Sequence, residues 1–423
     1  MPEEALDDLR DRLRRTRWPA PETAGTAVKP DDWSQGPPLA YVVEMVSAWR
    51  ERYDWRRVES ELNAHSQALT EIDGLDIHFL HVRSPRPDAR PLVLTHGWPS
   101  SVIEPLEVMD ALADPPEDDL PAFHVVAPSL PGFGFGGKPT TTGWNVNRTA
   151  DAWVELMDRL GYQRFLAAGG DWGGRVAAAL GHRYPDRVAG LHSFTPYVEE
   201  PAEDGELTEQ EEQWLTAAEE FRRVGGGYSL EQSTRPQTVG YALTDSPVAQ
   251  LTWLLDKFWA WTSNDGDPGS AISQDRMLDT VTFYWLSATA GPSARFYWEN
   301  FPPDNAGTVD VPCAVTIFPA DIEKVPRPWV ESRFSDLRSF REAARGGHFP
   351  MLEVPGSYVE ELRRGFAAVP WWGTDRWLAA TARRGDPTRR LMRPGSSLSG
   401  TRSVSSWVCC TTGRTRCWRP RRS

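Results

Sequence analysis

RFLAAGGDWGGRVAAALGHRY (164–184) reads as a strand, a sharp turn and a helix in immediate succession. The run RFLAA is short and apolar, as a buried strand requires, and RVAAALGHRY continues as a helix. Between them stands Gly169-Gly170-Asp171-Trp172-Gly173-Gly174. This is the context of a nucleophile elbow, which holds one side chain out on a strained turn. Such a turn needs small residues two positions to either side, and Gly169 and Gly173 occupy them. A glycine-rich turn with Asp as a helix cap would use similar residues; the strand before and the helix after favour the elbow. Its occupant is Asp171, where Ser or Cys would be more usual. A carboxylate with an ordinary pKa near ~4 is already ionised at neutral pH and needs no base to activate it. Its natural targets are saturated carbons bearing a leaving group, as in epoxides and alkyl halides. Attack leaves an alkyl ester, and water can cleave that ester at its carbonyl.

The remaining machinery follows from what this chemistry needs. HGWP (96–99) follows the apolar run PLVLT, where a loop can aim a backbone N–H at the elbow. The expected oxyanion hole is the pair of backbone N–H groups of Trp98 and Trp172, the latter directly after the nucleophile. A cis Trp98–Pro99 bond is compatible with this turn. A base must activate the hydrolytic water. In this type of site the chain order is nucleophile, acid, histidine. His182, His192 and His348 follow Asp171. His182 falls in the helix after the elbow and His192 in a strand, which leaves His348, in the loop RGGHF (345–349). The acid should leave the preceding strand, VTIFP (315–319). Asp321 comes next but one, and Glu323, two residues further on, is its competitor.

The rest of the chain supplies a scaffold. LDIHFLHV (75–82), PLVLTH (91–96), FHVVAPSL (123–130), RFLAAGG (164–170) and VAGLHSF (188–194) read as strands alternating with helices, which predicts a mostly parallel sheet covered on both faces. The alternation stops near residue 196. A mainly helical stretch follows, clearest in TEQEEQWLTAAEEFRRV (208–224) and VAQLTWLLDKFWAWT (248–262). Strands resume at VPCAVTIFP (311–319) and LRSFREA (337–343). The expected architecture is an α/β-hydrolase fold: a helical N-terminal extension over 1–72, a core over 73–195 and 305–368, and a helical lid over 196–304. The lid lies where open α/β sheets place their sites, over the carboxyl ends of the strands.

Composition narrows the function classes. The formal net charge of −13 argues against nucleic acid and anionic membrane partners. Residues 369–423 hold twelve Arg and two Asp, so the rest of the chain carries about −23. That tail has no periodicity and reads as disordered, outside the folded unit. It also holds Cys409, Cys410 and Cys417; Cys313 alone belongs to the body, so neither a disulfide framework nor a metal site is expected. There is no run of 18 apolar residues, and the charged first residues lack a signal-peptide core; a cytoplasmic location is the expectation. The 20 Trp suit core and lid packing and a pocket for an apolar substrate.

HGWP (96–99), SLPGFGFGGKP (129–139), GGDWGG (169–174), RFYWEN (295–300), FPAD (318–321) and RGGHF (345–349) resemble, in this order, the motifs of microsomal-type epoxide hydrolases. LDDLRDRLRRTRWP (6–19) is similar to that family's N-terminal extension, and the resemblance covers roughly 4–366. It implies two lid tyrosines that donate to the epoxide oxygen. Tyr297, in RFYWEN, matches one position; Tyr228 matches the other, with Tyr241 and Tyr284 as nearby alternatives. The family often has Glu where Asp321 stands. The implied reaction opens an oxirane to a vicinal diol with water and without a cofactor. The expected substrate is a small apolar or aryl epoxide, and a homodimer is compatible with it. Two other readings share the elbow: a haloalkane or fluoroacetate-type dehalogenase, and a non-catalytic binding protein of the same fold. The paired tyrosines speak against the first, and the intact Asp171, His348 and acid against the second.

Overall fold

The computed structural model describes residues 1–23, 32–117, 119–201, 206–302 and 307–369, and the backbone of 401–403. Its strands are β1 (Gln67–Ile72), β2 (Leu75–Val82), β3 (Arg90–Thr95), β4 (Phe123–Pro128), β5 (Phe165–Gly169), β6 (Val188–Ser193), β7 (Cys313–Ile317), β8 (Leu337–Glu342) and β9 (Thr401–Ser403). They form one sheet in the order β8-β7-β6-β5-β3-β4-β2-β1-β9. The pairs from β8 across to β4 are parallel, and β2, β1 and β9 add antiparallel edges. All of β4, β5, β6 and β7 is buried, which explains their near-continuous apolar sequences. Alternate residues serve opposite faces. Leu92, Leu94, Val125 and Leu166 join one core, while Val93, Val126, Phe165 and Ala167 join the other.

Helix α1 (Glu3–Arg14), α2 (Leu39–Glu51) and α3 (Trp55–Ala64) precede the sheet. The face carrying Val93 and Val126 is covered by α5 (Val146–Arg159) and α6 (Asp171–Arg183); the face carrying Leu92 and Val125 by α4 (Ile103–Ala113) and, near the end of the described chain, α15 (Pro355–Ala367). Between β6 and β7 the chain leaves the sheet to build the lid: α7 (Glu209–Val224), α8 (Gly227–Thr234), α9 (Pro236–Asp245), α10 (Pro247–Ala260), α11 (Gln274–Ser287) and α12 (Ala290–Glu299). Short helices α13 (Arg327–Arg333) and α14 (Pro350–Glu353) complete the C-terminal half. This is the α/β-hydrolase arrangement expected from the sequence.

Three readings need correction. The sheet begins before residue 73: Gln67–Ile72 is strand β1, joined to β2 through Asp73 (φ 50°) and Gly74 (φ 75°). An Asp-Gly pair between two extended runs is a strong hairpin signal, because both central residues must take positive φ. The helical extension expected over 1–72 is broken at 52–54 between α2 and α3, where Asp54 caps the second of these helices by accepting from Arg56 N–H. The unpatterned tail falls mostly outside the described residues, yet Thr401–Ser403 pairs antiparallel with β1, so at these three residues it is strand.

The extension is fastened to the lid through α11. Trp49 Nε1 donates to Thr282 Oγ1 at 2.9 Å, and Tyr53 Oη to Asp279 Oδ1 at 2.8 Å. Arg57 Nη2 reaches both Asp279 oxygens at 2.6 Å, and Arg276 Nη1 reaches Oδ2 at 3.0 Å. Burial raises the Asp279 pKa, and Arg57 and Tyr53 oppose that by bonding to the carboxylate.

Candidate active site

The topology prepares the site. From β3 the chain moves to β4 on one side, while β5 lies on the other and leads on to β6. The carboxyl ends of β3 and β5 therefore flank a switch point, where crevices open in such sheets. Thr95 at the end of β3 pairs with Gly169 at the end of β5, which brings the loop 96–99 beside the elbow.

Asp171 is buried and begins α6 with φ 50°, a left-handed backbone that non-glycine residues rarely adopt. The tight approach explains the glycines: a Cβ at 173 would lie 2.0 Å from Thr95 O, and one at 169 would lie 2.6 Å from the same atom. Trp98 N–H donates to Asp171 Oδ1 at 2.8 Å. The Trp98–Pro99 bond is cis. Trp172 N–H belongs to the first turn of α6, whose amides have no acceptor within the helix. Neutral His96 fixes the facing loop, with Nδ1 2.8 Å from Gly97 O and Nε2 accepting from Leu130 N–H at 3.2 Å. Burial brings its pKa down to about 4.

His348 Nδ1 lies 2.7 Å from Asp321 Oδ1, and its Nε2 lies 3.6 Å from Asp171 Oδ2. The first is a hydrogen bond and the second is too long to be one. Asp321 is held by Thr195 Oγ1 at 3.1 Å and by Ile322 N–H at 2.7 Å. Glu323, its competitor in sequence, faces Arg222 at 3.7 Å and lines the cavity above Asp171. Burial alone would lower the His348 pKa. The adjacent charges of Asp321 and Asp171 outweigh that and hold it well above the usual histidine value. The two neighbouring acidic side chains thus favour the protonated form of His348.

Tyr228 on α8 and Tyr297 on α12 both line the cavity of about 500 Å³ that opens on Asp171. Tyr228 stacks on Trp98, with ring centroids 5.1 Å apart, and Tyr297 meets Trp172 edge-on at 4.8 Å. Tyr297 Oη is buried, with the Tyr228 hydroxyl and the Trp172 indole as its polar neighbours. Burial, then the nearby charge of Asp171, raises the Tyr228 hydroxyl well above its ordinary pKa; burial, Tyr228 and Asp171 do the same for Tyr297. Both hydroxyls therefore keep their protons. The alternatives lie elsewhere: Tyr241 is 71% exposed, and Tyr284 Oη donates to Ser100 O at 2.7 Å.

The sequence reading passed over three groups. Tyr197 Oη lies 3.5 Å from Asp171 Oδ2, Arg175 lines the cavity, and Trp261 packs edge-on against His348 at 4.9 Å while its carbonyl accepts His348 N–H at 2.8 Å. Tyr197 follows the carboxyl end of β6, a position that by itself marks a candidate in a parallel sheet. Trp261 had no such signal, since a lid residue meets His348 only through tertiary packing. A larger cavity of about 790 Å³ lies between the extension and the lid, lined by residues such as Arg12, Trp18 and Val248, and contains none of these groups. Among the described residues there is no cluster of His, Cys, Asp or Glu fit for a metal, and no helix long and apolar enough to cross a membrane.

Known proteins resemble this chain in sequence and in fold. Residues 1–105 match the family model described as epoxide hydrolase N terminus, and residues 90–225 match that of the alpha/beta hydrolase fold. An epoxide hydrolase homologue of Stigmatella aurantiaca is 49% identical, covering 86% of this chain and 83% of the relative. Epoxide hydrolase 1 of Sus scrofa is 32% identical, with 86% of each chain covered. The solved structure of Aspergillus niger epoxide hydrolase superposes with a TM-score of 0.79 at 30% identity, covering 88% of this chain and 95% of that one.

Proposed function

Because this chain belongs to the epoxide hydrolase family, we propose that it opens an oxirane in two half-reactions divided between Asp171 and His348. In the first, Tyr228 and Tyr297 donate to the oxirane oxygen. Asp171 Oδ2 attacks a ring carbon, the carbon–oxygen bond breaks, and the alkoxide takes a proton from a tyrosine. The product is a glycol ester on Asp171. Esterification removes the carboxylate charge beside His348, so the imidazolium becomes more acidic and its proton passes through solvent to the tyrosinate, restoring the phenol. In the second half, His348 Nε2 takes a proton from water, and hydroxide adds to the ester carbonyl. The oxyanion forms on Oδ1, where Trp98 N–H already points, with Trp172 N–H as the second donor. Collapse releases the diol and returns the carboxylate. Asp321 keeps the imidazole oriented throughout.

The observation that carries this reading is the Asp171 side chain facing, across one cavity, two tyrosines that burial keeps protonated. An oxirane oxygen needs such proton donors, whereas a departing halide does not; the dehalogenase reading drops out with the family assignment. The expected substrate remains an aryl or small alkyl epoxide. A cytoplasmic location and a homodimer belong to the same proposal, and cell fractionation and light scattering test them. The mechanism is tested by exposing His348→Gln to one equivalent of styrene oxide. The intact chain should gain the mass of the whole epoxide, carried on the peptide containing Asp171. A chain that gains nothing, or gains it at another residue, would remove Asp171 as nucleophile.

A further inference from the structure

The cavity above Asp171 is less apolar than the Trp content suggested. Its wall carries three guanidinium groups, Arg175, Arg222 and Arg223, against the carboxyls of Asp171 and Glu323. Two of the three are matched within the protein. Arg222 Nη1 stands 3.7 Å from Glu323 Oε1, and Arg223 donates to Glu220 from Nε at 2.9 Å and from Nη2 at 2.6 Å. Arg175 is held differently. Its guanidinium lies over the Tyr197 ring, 3.6 Å from the centroid, and over the Trp172 ring at 5.0 Å. Among the described residues it makes no ion pair and no hydrogen bond at contact distance, although its charge acts on Glu323 more strongly than that of Arg222. Cation–π contact fixes the plane of the group and uses none of its N–H donors. A planar fork of donors without an acceptor, held rigid and half-buried at a cavity wall, is matched to a carboxylate.

Its position relative to the chemistry is defined. Arg175 follows Asp171 by four residues, and both line this cavity. Tyr197, whose ring carries the guanidinium, has its Oη 3.5 Å from Asp171 Oδ2. The cation and the attacking oxygen therefore lie at the face and at the hydroxyl end of the same phenol ring. We propose that Arg175 is a carboxylate-binding subsite and that the preferred substrate is an epoxide with a carboxylate one aryl ring away from the oxirane. The inference rests on the epoxide-opening reading above. It also accounts for how an anionic substrate would tolerate Asp171 and Glu323 nearby, since Arg175 offsets their repulsion. Anchoring the carboxylate at a fixed distance would further set which oxirane carbon faces Asp171.

Two probes of equal shape test it, 4-carboxystyrene oxide and its neutral carboxamide. The wild-type enzyme should prefer the acid in kcat/KM. In Arg175→Met the ratio of acid to amide should fall by about ten- to a hundredfold, the range for a lost charge-assisted pair. Differences in intrinsic reactivity cancel in that comparison. Arg175→Lys should keep part of the preference. Should Arg175→Met fail to fold, the wild type still decides, because a preference due to the cation shrinks as ionic strength rises. Equal turnover of acid and amide by the wild type, or a ratio unmoved in a folded Arg175→Met, overturns the subsite while leaving the reaction intact. If neither epoxide is opened, the reading of the reaction fails and the subsite with it.

Discussion

At Asp171 a single residue carries strain, charge and two distinct neighbours. Oδ1 accepts from Trp98 N–H, and Oδ2 faces His348, so its two oxygens already differ before substrate arrives. The mutual dependence of Asp171 and His348 is testable directly. In Asp171→Asn the carboxylate charge is gone, and the His348 ring protons should titrate at lower pH than in the wild type by NMR; an unchanged titration would mean that Asp171 does not set the His348 charge. A histidine raised in this way stabilises the fold fully below its unfolded value, and that contribution is lost as pH rises through the folded one. Glu104 runs the other way. It is buried beside Ser100, and burial pushes its carboxyl from 4.5 up to about 7. The unfolded chain ionises first, so this group makes the protein lose stability as pH rises across that interval. In Glu104→Gln that part of the decline should vanish from urea titrations run across the interval, and an unchanged slope would place its cause elsewhere. For the lid tyrosines, Tyr228→Phe or Tyr297→Phe should each slow ester formation by about 10²–10³, as loss of one such donor does. Wild-type alkylation in the double variant would reduce both to packing.

Elements differ in how far the chain announces them. Strands β3 to β7 were legible because each is a short apolar run, and the elbow because glycine is demanded by contacts as close as 2.0 Å. β1 was missed because its alternation is weak, in QALTEI, and its clearest sign is the turn after it. Two substitutions separate these causes. At Gly74 a Cβ would touch nothing, so Gly74→Ala should cost only the backbone preference, about 1–2 kcal/mol by chemical denaturation. Gly173→Ala, by contrast, collides with Thr95 O and should displace the elbow and abolish turnover. Similar modest costs at both positions would contradict this division. The tie between extension and lid could not be read in advance, because Asp279 meets Arg57 and Tyr53 across 222 and 226 residues of chain. Asp279→Ala takes this acceptor from Arg57, which keeps Glu61 at 2.9 Å, and from the buried Tyr53 hydroxyl, and should destabilise by about 1–3 kcal/mol. A loss below ~1 kcal/mol, the range of an exposed pair, would show that solvent already weakens the tie.

At the scale of the whole molecule, an ordered core of one charge sign carries a tail of the other. Val369 is buried, so the packed chain runs one residue past the boundary expected at 368. Removing residues 370–423 should leave turnover unchanged, and the melting temperature should drop by no more than about 4 °C, the scale of ~1 kcal/mol in a domain of this size. A large loss of either would mean that β9, at the sheet edge, anchors more than three residues suggest. The scaffold, extension and lid converge on one claim, that water attacks an ester on the protein and never the epoxide itself. Single turnover in ¹⁸O water tests it most directly, with enzyme in excess over styrene oxide. The label should appear in one carboxylate oxygen of Asp171, and the diol should be unlabelled; label entering the diol in that first turnover would contradict the account.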